Sequence, residues 1–151
     1  MKVIAKGAVR LPCASANLRR AERVITRFYE AQLRPSGVKG TQFTLLQALD
    51  TVQGISQKGL AELLEMDSTT LTRTLALLRG KGWVVSEAGA DRREWRFRLT
   101  TKGQSEFRKA LPYWQAAQSA LKKALGTENW NRLLDSTVGI ADIARSQAGF
   151  K

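Results

Sequence analysis

The sequence predicts a mainly α fold with one small β element (α+β), and three features predict it. Apolar residues recur every three or four positions through most of the chain, the spacing of amphipathic helices. After Gly82 the period drops to two, first in Trp83-Val84-Val85 and then strictly in Glu94-Trp95-Arg96-Phe97-Arg98-Leu99. Just before that change, two helical stretches are separated only by the tight link Glu65-Met66.

The elements follow in order. Residues 1–13, with Gly7 and Pro12, read as a flexible basic arm. From Ala14 to Leu33, Leu18, Ala21, Ile25 and Phe28 form an apolar stripe, with Arg19, Arg23, Arg27 and Glu30 off it. Arg34-Pro35-Ser36-Gly37 ends that helix. Thr41 is the expected cap of a second helix carrying Phe43, Leu45, Leu46 and Leu49 up to Gln53-Gly54. Ser56 caps a short third helix with Leu60, Leu63 and Leu64 as core positions; Gly59 would allow close backbone approach there.

Asp67 then caps a fourth helix that stops at Gly80 or Gly82. Leu71, Leu75 and Leu78 share its inner face. Its outer face carries Thr69, Thr72, Arg73, Ala76 and Gly80, with none of the Glu/Lys pairs usual on a solvating face. Short hydroxyls and one arginine suit a helix that enters a major groove and touches base edges and phosphates. Two helices so joined, the second with a polar outer face, form a helix-turn-helix.

The two strands after Gly82 add a β-ribbon wing. Ala88-Gly89-Ala90-Asp91-Arg92-Arg93 is the basic turn between them, and Trp95, Phe97 and Leu99 should share one face. Thr101 with Gln104 fits a capping box for the next helix, whose stripe runs through Phe107, Leu111, Trp114, Leu121 and Leu125. Pro112 lies inside it and predicts a kink around residues 108–112. A last helix from about Thr127 carries Trp130, Leu133, Leu134, Val138 and Ala141.

Bulk properties narrow the function. At 151 residues, 43% hydrophobic and 25% charged, the chain suits a single globular domain, 1–151. Its parts are the arm 1–13, helices at 14–34 and 100–147, and a reader at 41–99. No apolar run reaches the ~18–20 residues of a membrane span, and no segment at the start resembles a secretory signal. One cysteine excludes an internal disulfide framework and suits the cytoplasm. The net charge of +12, with no histidine, favours a polyanionic partner. Nine basic and two acidic residues lie in 1–40, eight and seven in 41–99, and eight and four in 100–151, so charge does not locate the contact.

Asp91-Arg92-Arg93 followed by Leu99-Thr100-Thr101-Lys102-Gly103 resembles the wing signature of the MarR regulators. The likeness extends through Ser68-Thr69-Thr70-Leu71-Thr72-Arg73 and Gln42-Phe43-Thr44-Leu45-Leu46, and in element order covers about residues 14–145. The resemblance implies a winged helix-turn-helix in a homodimer built by the first and last two helices. It implies a pseudo-palindromic double-stranded DNA operator, and repression released by a small aromatic or phenolic acid. Carried over, Ser68, Thr69, Thr70, Thr72 and Arg73 meet the major groove. Arg92 and Arg93 reach the minor groove, and Asp91 steadies them. Lys58 and Lys81 are assigned to phosphates. A family effector pocket between reader and dimerisation helices nominates Asn17, Arg20, Phe43, Leu46 and Trp114, with Arg20 pairing a carboxylate. Ordinary core and surface roles account for those five residues equally well.

A dimer also follows from apolar surface, because helices 14–33, 101–125 and 127–145 carry more than a three-helix reader with a wing buries. Two-fold symmetry would set the reading helices about 34–36 Å apart. Two further readings compete. Cys13, at a helix start near arginines, could sense oxidants, although a small buried hydrophobe is the commoner role of such a cysteine. A basic winged helix could also coat DNA without sequence preference. Histidine, paired thiols, a phosphate loop and metal-ligand clusters are all missing from the sequence, so catalysis, cofactors and metals are not expected.

Overall fold

A computed structural model describes residues 9–89 and 94–149. These described residues form six α-helices and three short strands, in the order α1 (Ala14–Leu33), α2 (Gly40–Thr51), β1 (Ile55–Ser56), α3 (Gln57–Leu64), α4 (Ser68–Gly80), β2 (Val84–Ala88), β3 (Trp95–Leu99), α5 (Thr101–Leu125) and α6 (Thr127–Ala148). A 3-10 turn over Arg34–Ser36 leads out of α1, and Gly37, at φ 73°, closes it in the left-handed region.

Local chemistry sets the helix starts. Ser56 Oγ accepts the Gly59 N–H at 3.0 Å and caps α3; Asp67 Oδ1 accepts the Thr70 N–H at 2.8 Å and caps α4. Two expected caps are corrected. The second helix begins at Gly40 rather than after Thr41, because Glu30 of α1 takes the Gly40 N–H at 2.7 Å and Gln42 Oε1 takes that of Lys39 at 3.2 Å. For α5 the cap is Thr100, not Thr101: its Oγ1 accepts the Gly103 N–H at 3.0 Å. The helix runs without interruption from Thr101 through Pro112 to Leu125.

The sheet is antiparallel in the order β1-β3-β2. Val84 faces Leu99 and Ala88 faces Trp95 across β2 and β3, while Ile55 faces Phe97 across β1 and β3. Sequence patterning did not anticipate β1, since two residues are too few to show a period. Phe97 and Leu99 are buried, while Trp95, which shares their alternation along β3, is 53% exposed. It lies at the first position of β3, paired with Ala88 at the wing end of β2.

One core joins the reader to its supports. Leu71, Leu75 and Leu78 of α4, Leu45, Leu46 and Leu49 of α2, and Leu60 of α3 are buried together, closed by Trp83, Phe97 and Leu99 from the sheet side. Leu63, expected in this core, is instead 53% exposed. The seam between wing and α5 is tighter still. Thr100 donates its N–H to the Trp83 carbonyl at 3.0 Å and its hydroxyl to Gly82 O at 2.7 Å. A Cβ on Gly103 would lie 2.0 Å from that Trp83 oxygen, so the turn admits only glycine.

The outermost helices bury much less. In α1 only Leu33 is buried, and Leu18, Val24 and Ile25 remain exposed. No residue of α6 is buried, although Leu133, Leu134, Val138, Ile140 and Ile143 lie along it. No described helix is long and apolar enough to cross a membrane.

Candidate nucleic-acid interface and adjoining cavity

The outer face of α4 forms a shallow concavity lined by Ser68, Thr69, Thr72, Arg73 and Ala76. It arises because the inner leucines fix the helix rotation, leaving the residues of the opposite face outward. All five are exposed. Thr70 lies outside the concavity: its hydroxyl and N–H serve the Asp67 carboxylate and hold it below the usual aspartate range.

Thr72 is placed by a contact that sequence reasoning missed. Its hydroxyl donates to Ser68 O at 2.6 Å and accepts from Gln57 Nε2 at 2.7 Å. The hydroxyl hydrogen is therefore committed, and what remains for a partner is one acceptor lone pair and the γ-methyl. Gln57 thus ties the start of α3 to the outer face of α4. Its signal in the sequence was weak, a glutamine just after a helix cap.

The basic groups around this face differ in freedom. Lys58, in the first turn of α3, lies 3.9 Å from Glu62, both well exposed, which makes a weak surface pair. Lys81 sits with Nζ 4.3 Å from the centre of the Trp83 ring, a cation–π contact that anchors it at the end of α4. On the wing, Arg96 donates to Gly54 O at 2.8 Å and to Glu94 at 3.0 Å. Arg98 hydrogen-bonds Glu87, and its guanidinium pulls that carboxyl below the usual glutamate range. Asp91, Arg92 and Arg93, assigned to the wing tip, lie outside the described residues.

A cavity of about 370 Å3 opens where α1, α2 and α5 meet. Phe43 and Trp114, two of the five nominated pocket residues, line it, with stacked rings 5.5 Å apart at 25°. The other three do not line it. Leu46 is fully buried in the core and does not line the cavity. Asn17 is folded back on the chain start, donating to Leu11 O at 2.7 Å and Cys13 O at 2.8 Å. Arg20 donates to Val9 O at 3.1 Å. Both polar groups of α1 thus tie down the residues that precede it. Cys13, read as a small buried residue, is exposed at the α1 cap.

The polar lining comes instead from Thr26 and Tyr29 of α1, Thr41 and Thr44 of α2, and Gln118 of α5. Burial raises the Tyr29 pKa above its ordinary value, so the phenol keeps its proton. Gln118 Oε1 is buried and has no hydrogen-bond partner among the described residues. These residues were hidden in the sequence because each looks like a polar flank of an amphipathic helix.

Comparison with known proteins agrees with this geometry. The model of the MarR family matches residues 36–94. The HTH-type transcriptional regulator YwoH of Bacillus subtilis (strain 168) is 30% identical over 90 residues, covering 60% of this chain and 66% of the relative, just under two thirds of its length. The M. tuberculosis transcriptional regulator MosR, in a crystal structure in complex with DNA, is 34% identical, with 89% of this chain and 97% of that one aligned at a TM-score of 0.81. The PcaV regulator of Streptomyces coelicolor, in complex with its natural ligand, shares the fold at a TM-score of 0.81 and 20% identity, over 91% of this chain and 99% of that one. Helix-turn-helix, β-ribbon and flanking helices occur here in the same order and packing, and the chain belongs to the MarR family of transcriptional regulators.

Proposed function

We propose that the protein is a homodimeric, sequence-specific DNA-binding repressor whose grip on a pseudo-palindromic operator is controlled from the α1/α2/α5 cavity. The observation that carries this reading is the outer face of α4, which holds Thr69, Thr72, Arg73 and Ala76 in one exposed concavity without a competing intrachain ion pair among the described residues.

In this reading Arg73 makes the base-edge contact, bidentate to a guanine, which its planar fork suits. Thr72 offers its methyl and one lone pair, fitting a thymine methyl better than a donor-dependent contact. Ser68 and Thr69, exposed at the N-terminal end of α4, offer short hydroxyls that can donate to a phosphate. Lys58 and Lys81 add phosphate contacts that position the reader without selecting sequence. Arg92 and Arg93 reach the minor groove, with Asp91 orienting them.

The dimer rests on the apolar residues that α1 and α6 leave exposed in one chain. A second copy covers them, and its two-fold axis presents two α4 helices to successive major grooves. Because the cavity lies between α1, α5 and the reader's α2, a ligand that separates these helices alters the spacing of the two reading heads. The MosR structure in complex with DNA supports the polyanion partner, and the ligand-bound PcaV structure supports a small-molecule response.

Binding of the purified protein to its own upstream DNA and to a scrambled duplex, measured across salt, tests this reading. A specificity ratio of ~10³ or more is expected. Equal and steeply salt-dependent affinity for both duplexes would make it a DNA-coating protein instead.

A further inference from the structure

We propose that Glu65 and Arg145 are positioning residues of the reader: their ion pair ties the last turn of α6 to the turn of the helix-turn-helix and so sets where α4 begins. The proposal rests on the reading of α4 as the helix that meets DNA, and deepens it with two residues that act through α4.

The first observation is a glutamate where glycine is the usual choice. The end of α3 closes with two hydrogen bonds, from Met66 N–H to Ala61 O at 3.0 Å and from Glu65 N–H to Glu62 O at 3.4 Å. Such a closure needs a left-handed residue, and glycine or asparagine normally fills it because a Cβ is strained there. Glu65 fills it at φ 49°, the only non-glycine residue at positive φ among the described residues. Its charge is also out of place in a DNA-binding turn. Glu65 lies two residues before Asp67, the cap of α4, where a carboxylate repels phosphate. Both local costs point to a contact made elsewhere.

That contact is Arg145, 80 residues further along and in the last turn of α6. Glu65 Oε1 accepts from one terminal nitrogen of the guanidinium, and Asp142 Oδ1 accepts from the other at 2.8 Å. Asp142, three residues earlier on the same helix, holds the fork in place, so less freedom is lost when Glu65 meets it. Among the described residues, no other hydrogen bond or ion pair joins α6 to the segment from α2 to β3. No residue of α6 is buried, so packing within this chain does little to fix its angle against the reader. A pair between exposed groups adds little stability. Its effect is directional: it holds α6 and the lead-in to α4 in one relative position.

A double-mutant cycle in the full-length protein, read on its upstream DNA and on a scrambled duplex, tests the assignment. Charge alone predicts that Glu65→Gln, by removing a negative group beside α4, tightens binding to every duplex. The positioning role predicts the opposite on the upstream DNA: about 5-fold weaker binding, from two modest pairs per dimer. The scrambled duplex should be bound unchanged or more tightly. Arg145→Gln should also weaken operator binding, and the double variant should be no weaker than Arg145→Gln alone. Glu65→Gly, which relieves the left-handed backbone, should melt higher than wild type yet bind the operator more weakly, a combination that a stabilising role does not produce. Hydrogen exchange in the DNA-free protein reads the tie by itself: amides of residues 65–70 should exchange faster in both glutamine variants. Thermal melting checks that each variant folds. Tighter operator binding by Glu65→Gln, or a double variant weakened by the product of the two single effects, would overturn the proposal. A wild type with no preference for its upstream DNA would count against α4 as the reader; unchanged exchange in the folded variants would overturn the tie itself.

Discussion

At the residue scale, the proposed reading of α4 separates groups that would select a base from groups that hold the structure together. Arg73 is exposed within the concavity and enters no ion pair among the described residues, so its fork is available to a base. Arg96 and Arg98 are engaged by Glu94 and Glu87, which makes them part of the wing's own structure. Replacing Arg73 by alanine should cost about 1–3 kcal/mol against the cognate operator and relax specificity at one position. Affinity measured for operator variants and random DNA checks this. Equal weakening of every duplex would reassign Arg73 to the phosphates. The sequence made the face of α4 plain because a 3.6-residue period with strong caps leaves little freedom in which side chains point outward. It left Gln57 invisible, since a contact between residues 15 apart depends on how α3 and α4 cross.

At the element scale, the junction of wing and α5 links the reader to the helices behind it. Three hydrogen bonds converge there: Thr100 N–H to Trp83 O, the Thr100 hydroxyl to Gly82 O, and the Gly103 N–H to the Thr100 hydroxyl. The approach is close enough that any Cβ at 103 meets backbone oxygen, which moves only if a whole strand moves. Gly103→Ala should therefore destabilise the fold by about 3 kcal/mol, at the upper end of overpacking costs. For a chain of this length that is a loss on the order of 10 °C in Tm. A melt within a degree or two of wild type would show that the seam relaxes more freely than its geometry implies. The motif Leu99-Thr100-Thr101-Lys102-Gly103 stood out in the sequence, but its necessity did not, because a glycine's role depends on what lies across from it. A second tie comes from Arg145 of α6, which hydrogen-bonds Asp142 on its own helix and Glu65 in the turn between α3 and α4.

At the scale of the whole molecule, the distribution of burial points beyond one chain. A 22-residue helix with no buried residue, yet carrying Val138 at 63% and Ile143 at 64% exposure, gains little from the core of this chain. Helices obtain most of their stability from packing an apolar face, and in the proposed dimer a second copy supplies that surface for α6. Placing aspartates at Val138 and Ile143 should convert a dimer to a monomer in sedimentation at micromolar concentration. Operator affinity should fall with it, since two half-sites would no longer be bound as one unit. A doubly substituted protein that stayed dimeric would move the interface away from α6.

The sequence alone determined the order and type of the main elements, the caps of α3 and α4, the inward leucines of α4 and the family resemblance. Each depends on residues within a few positions of one another, where periodicity and hydrogen-bonding chemistry act directly. Only the tertiary structure decided which polar residues meet in the cavity, that Asn17 and Arg20 turn away from it, and that Trp95 is exposed while Phe97 is buried. It also supplied the two-residue strand β1, whose partner lies some 40 residues further along the chain. These outcomes depend on which helices and strands pack side by side, a choice made by the summed burial of the core rather than by any local pattern.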